Sequence, residues 1–326
     1  MATFTGTSGA DTINGSKKAD VIYGLGDNDY LNGKNGDDLI YGGNGADTIL
    51  GGKDNDVLYG DAGNDSLFGE EGDDTLDGGL GADSLDGGSG DDIIYYDPND
   101  LYIYGGSGGK SSDTDTLIGT SNDDFIDVDN SVFGSNASGG FEIFNLLNGA
   151  DTFIGDRTES VTLTVNGGEG DDVLSLWSDG NDVLNGDGGN DQIWGGGGND
   201  SIYGGSGSDY LYGETGNDYL EGGADYDIYY YGWDQDKDTI QDNDAGGENA
   251  LVIYWGEQSD GAAPGDVTFS DQGGGVWRIE FDPNDYVDFD IADISDINFY
   301  DGPSSGPTYT VYEYERNAAG DGYDAI

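Results

Sequence analysis

The chain has no cysteine and no histidine, and only 9 lysines and arginines stand against 68 aspartates and glutamates. Without cysteine there is no disulfide, thiol nucleophile or iron–sulfur site. Without histidine there is no Ser-His-Asp triad, no HExxH zinc helix and no imidazole general base. A formal charge of −59 argues against nucleic acid or an anionic membrane surface as a partner and favours cations. No run of about 18 apolar residues occurs, so no transmembrane helix is expected. The N-terminal stretch MATFTGTSGADTING lacks the basic and apolar regions of a cleaved secretory signal. High charge with 34% hydrophobic residues would by itself favour disorder. The order of the residues overrides that composition.

Glycine is abundant, with 63 residues, and it is placed with a period. From Gly6 to Tyr95 the sequence divides without a gap into ten nonapeptides. The first residue of each is Gly, the sixth is Asp and the eighth is Leu or Ile. The fourth is Gly except at Lys18, Asp27 and Asp54. The pattern returns with Gly167–Ser175, skips Leu176, and runs through six more nonapeptides from Trp177 to Tyr230. These two blocks resemble the repeats-in-toxin (RTX, hemolysin-type) nonapeptide GGxGxDxUx, in which U is a large apolar residue. The resemblance implies an all-β fold, a right-handed parallel β-roll (β-solenoid) with calcium in its turns, and export by a type I secretion system.

The residues point the same way. Each nonapeptide reads as a glycine-rich turn followed by a short strand, and two of them make a coil of 18 residues. Coils stack at the inter-strand spacing of about 4.8 Å, so the sixth-position Asp of alternate repeats lie roughly 5 Å apart. Stacked carboxylates repel unless a cation lies between them. Calcium, which takes oxygen ligands at about 2.3–2.6 Å, suits such a gap, with turn carbonyls completing its shell. One predicted stack is Asp11, Asp29, Asp47, Asp65 and Asp83; the other is Asp20, Asp38, Asp56, Asp74 and Asp92. The second block predicts Asp182, Asp200 and Asp218 on one side and Asp191, Asp209 and Asp227 on the other, with Asp172 in the preceding repeat. Adjacent pairs suggest about twelve Ca²⁺. Lys18 adds positive charge in the turn beside Asp20 and weakens that end of its stack.

Position eight is expected to point inward, so positions seven and nine point out. On one side these are Val21/Tyr23, Leu39/Tyr41, Val57/Tyr59, Thr75/Asp77 and Ile93/Tyr95. Four of the five pairs are apolar, which predicts a face covered by the rest of the chain, by a second protomer or by polysaccharide. Trp194, Tyr212 and Tyr230 repeat the 18-residue spacing in the second block.

The expected organisation is a first roll block at 1–95, an irregular solenoid-like connector at 96–166, a second block at 167–230, and a β-rich cap with a secretion signal at 231–326. Within the connector, GTSNDDFID (Asp124) and NGADTFIG (Asp151) are repeat-like. The runs ALVIYW, DVTFS, VWRIEF, YVDFDI and TYTVYEYE predict an antiparallel C-terminal cap. Asp236, Asp238, Asp242 and Asp244 read as a solvated acidic turn, with a site for one more ion as the alternative. With the first repeat at Gly6, no catalytic domain is expected ahead of it. The expected function is non-enzymatic: an extracellular calcium-binding protein, secreted without a cleaved N-terminal signal. It would fold on binding Ca²⁺ and act as a structural or adhesive, self-assembling protein of the cell surface or matrix. The alternative is a polysaccharide-binding module, or a polysaccharide-modifying enzyme using carboxylates such as Glu142, Glu159 and Glu169.

Overall fold

The computed structural model describes residues 1–106, 113–128, 133, 140–155, 161–232, 237–241, 249–255, 268–273, 276–282, 285–290, 294–301, 310–316 and 323–325. All regular structure among them is strand. The chain forms two compact units, Met1–Leu147 with Ile154–Asp156, and Asn148–Phe153 with Arg157–Ile326.

In the first unit, alternate nonapeptides contribute to two parallel sheets. One runs Thr3–Thr5, Val21–Gly26, Leu39–Asn44, Val57–Ala62, Thr75–Asp77, Ile93–Tyr95, Thr116–Ile118 and Ile143–Asn145. The other runs Thr12–Asn14, Tyr30–Asn35, Thr48–Lys53, Ser66–Glu71, Ser84–Ser89 and Tyr102–Gly106. The register is the sequence period itself: Ile22 pairs with Ile40 and Ile40 with Leu58. Position eight therefore stacks on position eight, and Ile22, Leu31, Ile40, Ile49, Leu58 and Leu67 are fully buried. A strand with one inward residue in three buries little on its own; the stacking of coils supplies the core.

The irregular middle stays in phase with the coils. Ile94 pairs with Leu117 and Leu117 with Phe144, so the sheet continues in register although the spacing exceeds 18 residues. Longer coils carry larger core residues, and Phe141, Phe144 and Phe153 are fully buried.

The second unit repeats the arrangement. Val165 pairs with Leu184, Leu184 with Ile202 and Ile202 with Leu220 on one sheet. Leu174 pairs with Ile193, Ile193 with Leu211 and Leu211 with Tyr229 on another. The C-terminal region is only in part the expected antiparallel cap: Asp285–Asp290, from the YVDFDI run, is parallel to Lys237–Ile240. Asn249–Trp255, which contains ALVIYW, is parallel to both Ile228–Gly232 and Ile294–Asp301. Leu251 is fully buried in register with Tyr229, so this run continues the solenoid. Antiparallel pairing joins Val276–Asp282 to Thr268–Gly273 and Asp285–Asp290, and Thr310–Arg316 to Ile294–Asp301 and Tyr323–Ala325. Arg278 clasps Asp288 there through two hydrogen bonds of 2.6 and 2.7 Å.

Candidate metal centre

The turns place the predicted Asp residues in hydrogen-bonded ladders, two in each unit. The backbone N–H of each donates to Oδ1 of its counterpart one coil later, as from Asp29 to Asp47, Asp47 to Asp65 and Asp65 to Asp83 at 2.7 Å each. The opposite side does the same from Asp20 through Asp38, Asp56 and Asp74 to Asp92. In the second unit one ladder links Asp172, Asp191, Asp209 and Asp227, and the other links Asp182, Asp200 and Asp218. All of these are buried except Asp11, which is half-buried at the first coil.

Oδ1 is thus satisfied, and Oδ2 decides the chemistry. Buried Oδ2 atoms of Asp29, Asp38, Asp47, Asp56, Asp65, Asp74, Asp83, Asp92, Asp172, Asp191, Asp200 and Asp209 have no hydrogen-bond partner. Burying a charged oxygen without a partner costs several kcal/mol. These oxygens also share space with carbonyls. A Cβ added to Gly51 would meet Asp56 Oδ2 at 2.6 Å and the Gly69 carbonyl oxygen at 2.9 Å. At Gly195 the corresponding atoms are Asp200 Oδ2 and the Gly213 carbonyl oxygen, at 2.5 and 2.9 Å. At these open rungs position one is glycine, and a side chain there would fill the oxygen-lined cradle.

Electrostatics follows from burial. Desolvation first, and repulsion from stacked neighbours second, pushes the carboxyls of Asp56, Asp92 and Asp200 up to about 8. Asp65, Asp172 and Asp191 rise to about 7, and Asp38, Asp74 and Asp209 to about 6. Asp20 goes the other way, lowered by the Ser16 side chain above all.

The ladder holds further members that glycine spacing did not reveal. Asp92 donates to Asp115 Oδ1, Asp115 to Glu142 Oε2, Asp218 to Asp238 Oδ1 and Asp227 to Asn249 Oδ1. These segments lack glycine at position one, but each acid or amide lies two residues before a buried apolar residue: Leu117, Phe144, Ile240 and Leu251. That spacing was their signal. Asp238 is therefore buried and not part of a solvated turn, while Asp236, Asp242 and Asp244 lie outside the described residues. Asp83 donates to Asp100, whose spacing to Ile103 is one residue longer.

Carboxylate and carbonyl oxygens are hard donors, the set that calcium prefers. Among the described residues no three acidic side chains converge on one point, so carbonyls must complete any shell. Fold and site together define a parallel β-solenoid whose turns carry a ladder of cation-seeking carboxylates. The model for the RTX calcium-binding nonapeptide repeat (4 copies) matches residues 5–40, 33–67, 41–76, 68–100, 164–177, 178–211 and 203–237. Those segments cover just over half of the sequence, and the chain belongs to this family of calcium-binding repeat proteins. Comparison with curated proteins finds no match.

Proposed function

We propose that this chain is an extracellular, non-enzymatic calcium-binding protein that folds when calcium reaches it outside the cell and serves as a surface or matrix component. The observation that carries the reading is the row of buried, unpartnered Asp Oδ2 atoms facing turn carbonyls. In the absence of a cation these oxygens oppose folding; a bound cation stabilises only the folded chain. The eight sixth-position Asp residues from Asp29 to Asp92, with Asp172, Asp191, Asp200 and Asp209, would hold calcium, which supplies charge neutralisation and a cross-link between turns. Extracellular modules of this kind work at about 10⁻⁴ to 10⁻³ M calcium, far above cytosolic levels. A chain that stays unfolded inside the cell suits secretion in an unfolded state, as by a type I system.

The apolar sheet face supports a structural role. Tyr23, Tyr41 and Tyr59 stack with centroids 5.2 and 5.1 Å apart and planes within 10°. Trp194, Tyr212 and Tyr230 form a second stack, at 4.9 and 4.1 Å. Ring faces are spent on each other, which leaves edges outward; a polysaccharide platform needs open faces. Ile93 and Tyr95 keep 37% and 42% of their surface exposed on the same face, a surface suited to a second protomer. Glu142, a candidate for carboxylate chemistry, accepts the Asp115 amide and serves the ladder, while Glu159 lies outside the described residues.

Size-exclusion chromatography with light scattering, in millimolar calcium and in chelator, tests the proposal. A compact species in calcium and an expanded one in chelator are expected. An unchanged hydrodynamic size would overturn it. Assembly in calcium should weaken in the Tyr23→Asp/Tyr95→Asp double variant while its calcium count stays that of the parent.

A further inference from the structure

Not every rung of the ladder has an unpartnered oxygen, and position two of the nonapeptide sorts them. At Thr7, the backbone N–H and hydroxyl both bond Asp11 Oδ2, at 2.5 and 2.9 Å. Ser16 N–H donates to Asp20 Oδ2 at 2.7 Å. Thr120 N–H donates to Asp124 Oδ2 at 2.6 Å, and its hydroxyl to Oδ1 at 2.8 Å. The Ser178 hydroxyl donates to Asp182 Oδ2 at 2.9 Å. In each case the donor lies four residues before the acid, and none has positive φ.

The twelve rungs with an unpartnered Oδ2 differ at that position in backbone as well as in residue type. Their second residues are Gly, Leu25, Lys34, Asp61, Glu70 or Asp187, all in the left-handed region, with φ from 69° to 125°. In eleven of them the strand runs on through position two, as in Val21–Gly26, where Leu25 pairs with Gly43 of the next coil; before Asp83 it ends at Asp77, and Gly79 is left-handed all the same. Before the four Ser/Thr turns the strand ends after three residues: Thr3–Thr5, Thr12–Asn14, Thr116–Ile118 and Val173–Ser175. Ser and Thr compete with the inter-strand ladder by bonding locally, which explains both the short strand and the satisfied carboxylate.

Resting on the calcium reading above, we infer that position two decides whether a rung takes an ion. A left-handed residue leaves Oδ2 open and makes a calcium rung. Ser or Thr closes the rung with its own donors, so Asp11, Asp20, Asp124 and Asp182 are calcium-independent. Two of these, Asp11 and Asp20, form the first coil, where Gly6 still faces both Asp11 Oδ2 and the Gly24 carbonyl of the next coil. The residues proposed to take calcium are then fewer than the full set of sixth-position Asp.

The test compares two quadruple variants of the full chain by equilibrium dialysis with elemental analysis of bound calcium. One carries Leu25→Thr, Asp61→Thr, Glu70→Thr and Asp187→Thr; the other carries Gly at the same positions. Both lose the same side-chain charges, and only the first gains hydroxyls. The Thr variant should hold four fewer calcium ions per chain than the Gly variant, which should match the parent. Equal counts would overturn the inference. If the Thr variant does not fold, Thr7→Gly/Ser16→Gly decides: two more ions than the parent are expected, and an unchanged count overturns it. A parent chain that binds no calcium overturns both this inference and the proposed function. A parent that binds calcium and compacts, but whose count ignores position two, removes the inference alone.

Discussion

At the scale of single residues, a repeat is a division of labour among its positions. Position six gives one carboxylate oxygen to the neighbouring coil and, at the open rungs, leaves the other buried without a hydrogen-bond partner. Position one keeps the space beside that oxygen clear. Gly51→Ala should therefore place a methyl group between Asp56 Oδ2 and the Gly69 carbonyl. Loss of one bound ion and a higher calcium midpoint are expected by calorimetric titration. Gly9→Ala is the control, because its added Cβ would meet only Thr7 Oγ1 at 4.0 Å; it should leave the titration unchanged. A residue-scale effect is also expected with pH. Burial raises Asp38, Asp74 and Asp209 to about 6 and Asp56, Asp92 and Asp200 to about 8 in the metal-free fold, above the unfolded value of about 3.9. The protonated fold is favoured, so this contribution is full below pH of about 4 and is lost as pH rises through 6 to 8. Calcium-stripped protein should thus gain order between pH 8 and pH 5, read by circular dichroism, while calcium affinity falls over the same interval because protons compete. Expansion of the stripped chain on acidification would contradict this account.

At the scale of the strand, stability comes from stacking across coils. Leu58 lies fully buried between Ile40 and Leu76 in the same ladder. Leu58→Ala should cost about 2–5 kcal/mol through lost burial and the cavity left behind. Leu80, 74% exposed at an isolated bridge to Ala62, should tolerate the same change within about 0.5 kcal/mol. Denaturant unfolding in saturating calcium measures both, and similar losses would show that the inward row is not the core. Tyr41 stacks on Tyr23 and Tyr59, so Tyr41→Ser should remove two ring contacts of about 0.5–1.5 kcal/mol each.

At the scale of the whole molecule, the balance is between a charge of −59 and a core one side chain wide. Chelation should release the chain toward the dimensions of an unfolded polymer, a radius of gyration on the order of 60 Å for this length. Small-angle scattering reads that directly. Compact dimensions in chelator would mean that the apolar ladder alone outweighs the repulsion of its carboxylates.

The ten uninterrupted nonapeptides determined the parallel solenoid, its 18-residue register, its inward Leu and Ile row and the identity of the buried Asp residues. Periodicity carries that information because a stacked coil has one way to superimpose like on like. Where the period breaks, at Asp115, Glu142, Asp238 and Asn249, the ladder continues without glycine at position one, held by the inward residue two places on. The run ALVIYW has the composition of an antiparallel strand, and only its stacking on Tyr229 made it parallel. The tertiary structure alone decided which carboxylate oxygens are satisfied. That depends on whether the backbone at position two turns left-handed, as at Leu25, or closes onto its own aspartate, as at Thr7, and so on where each amide finds its acceptor.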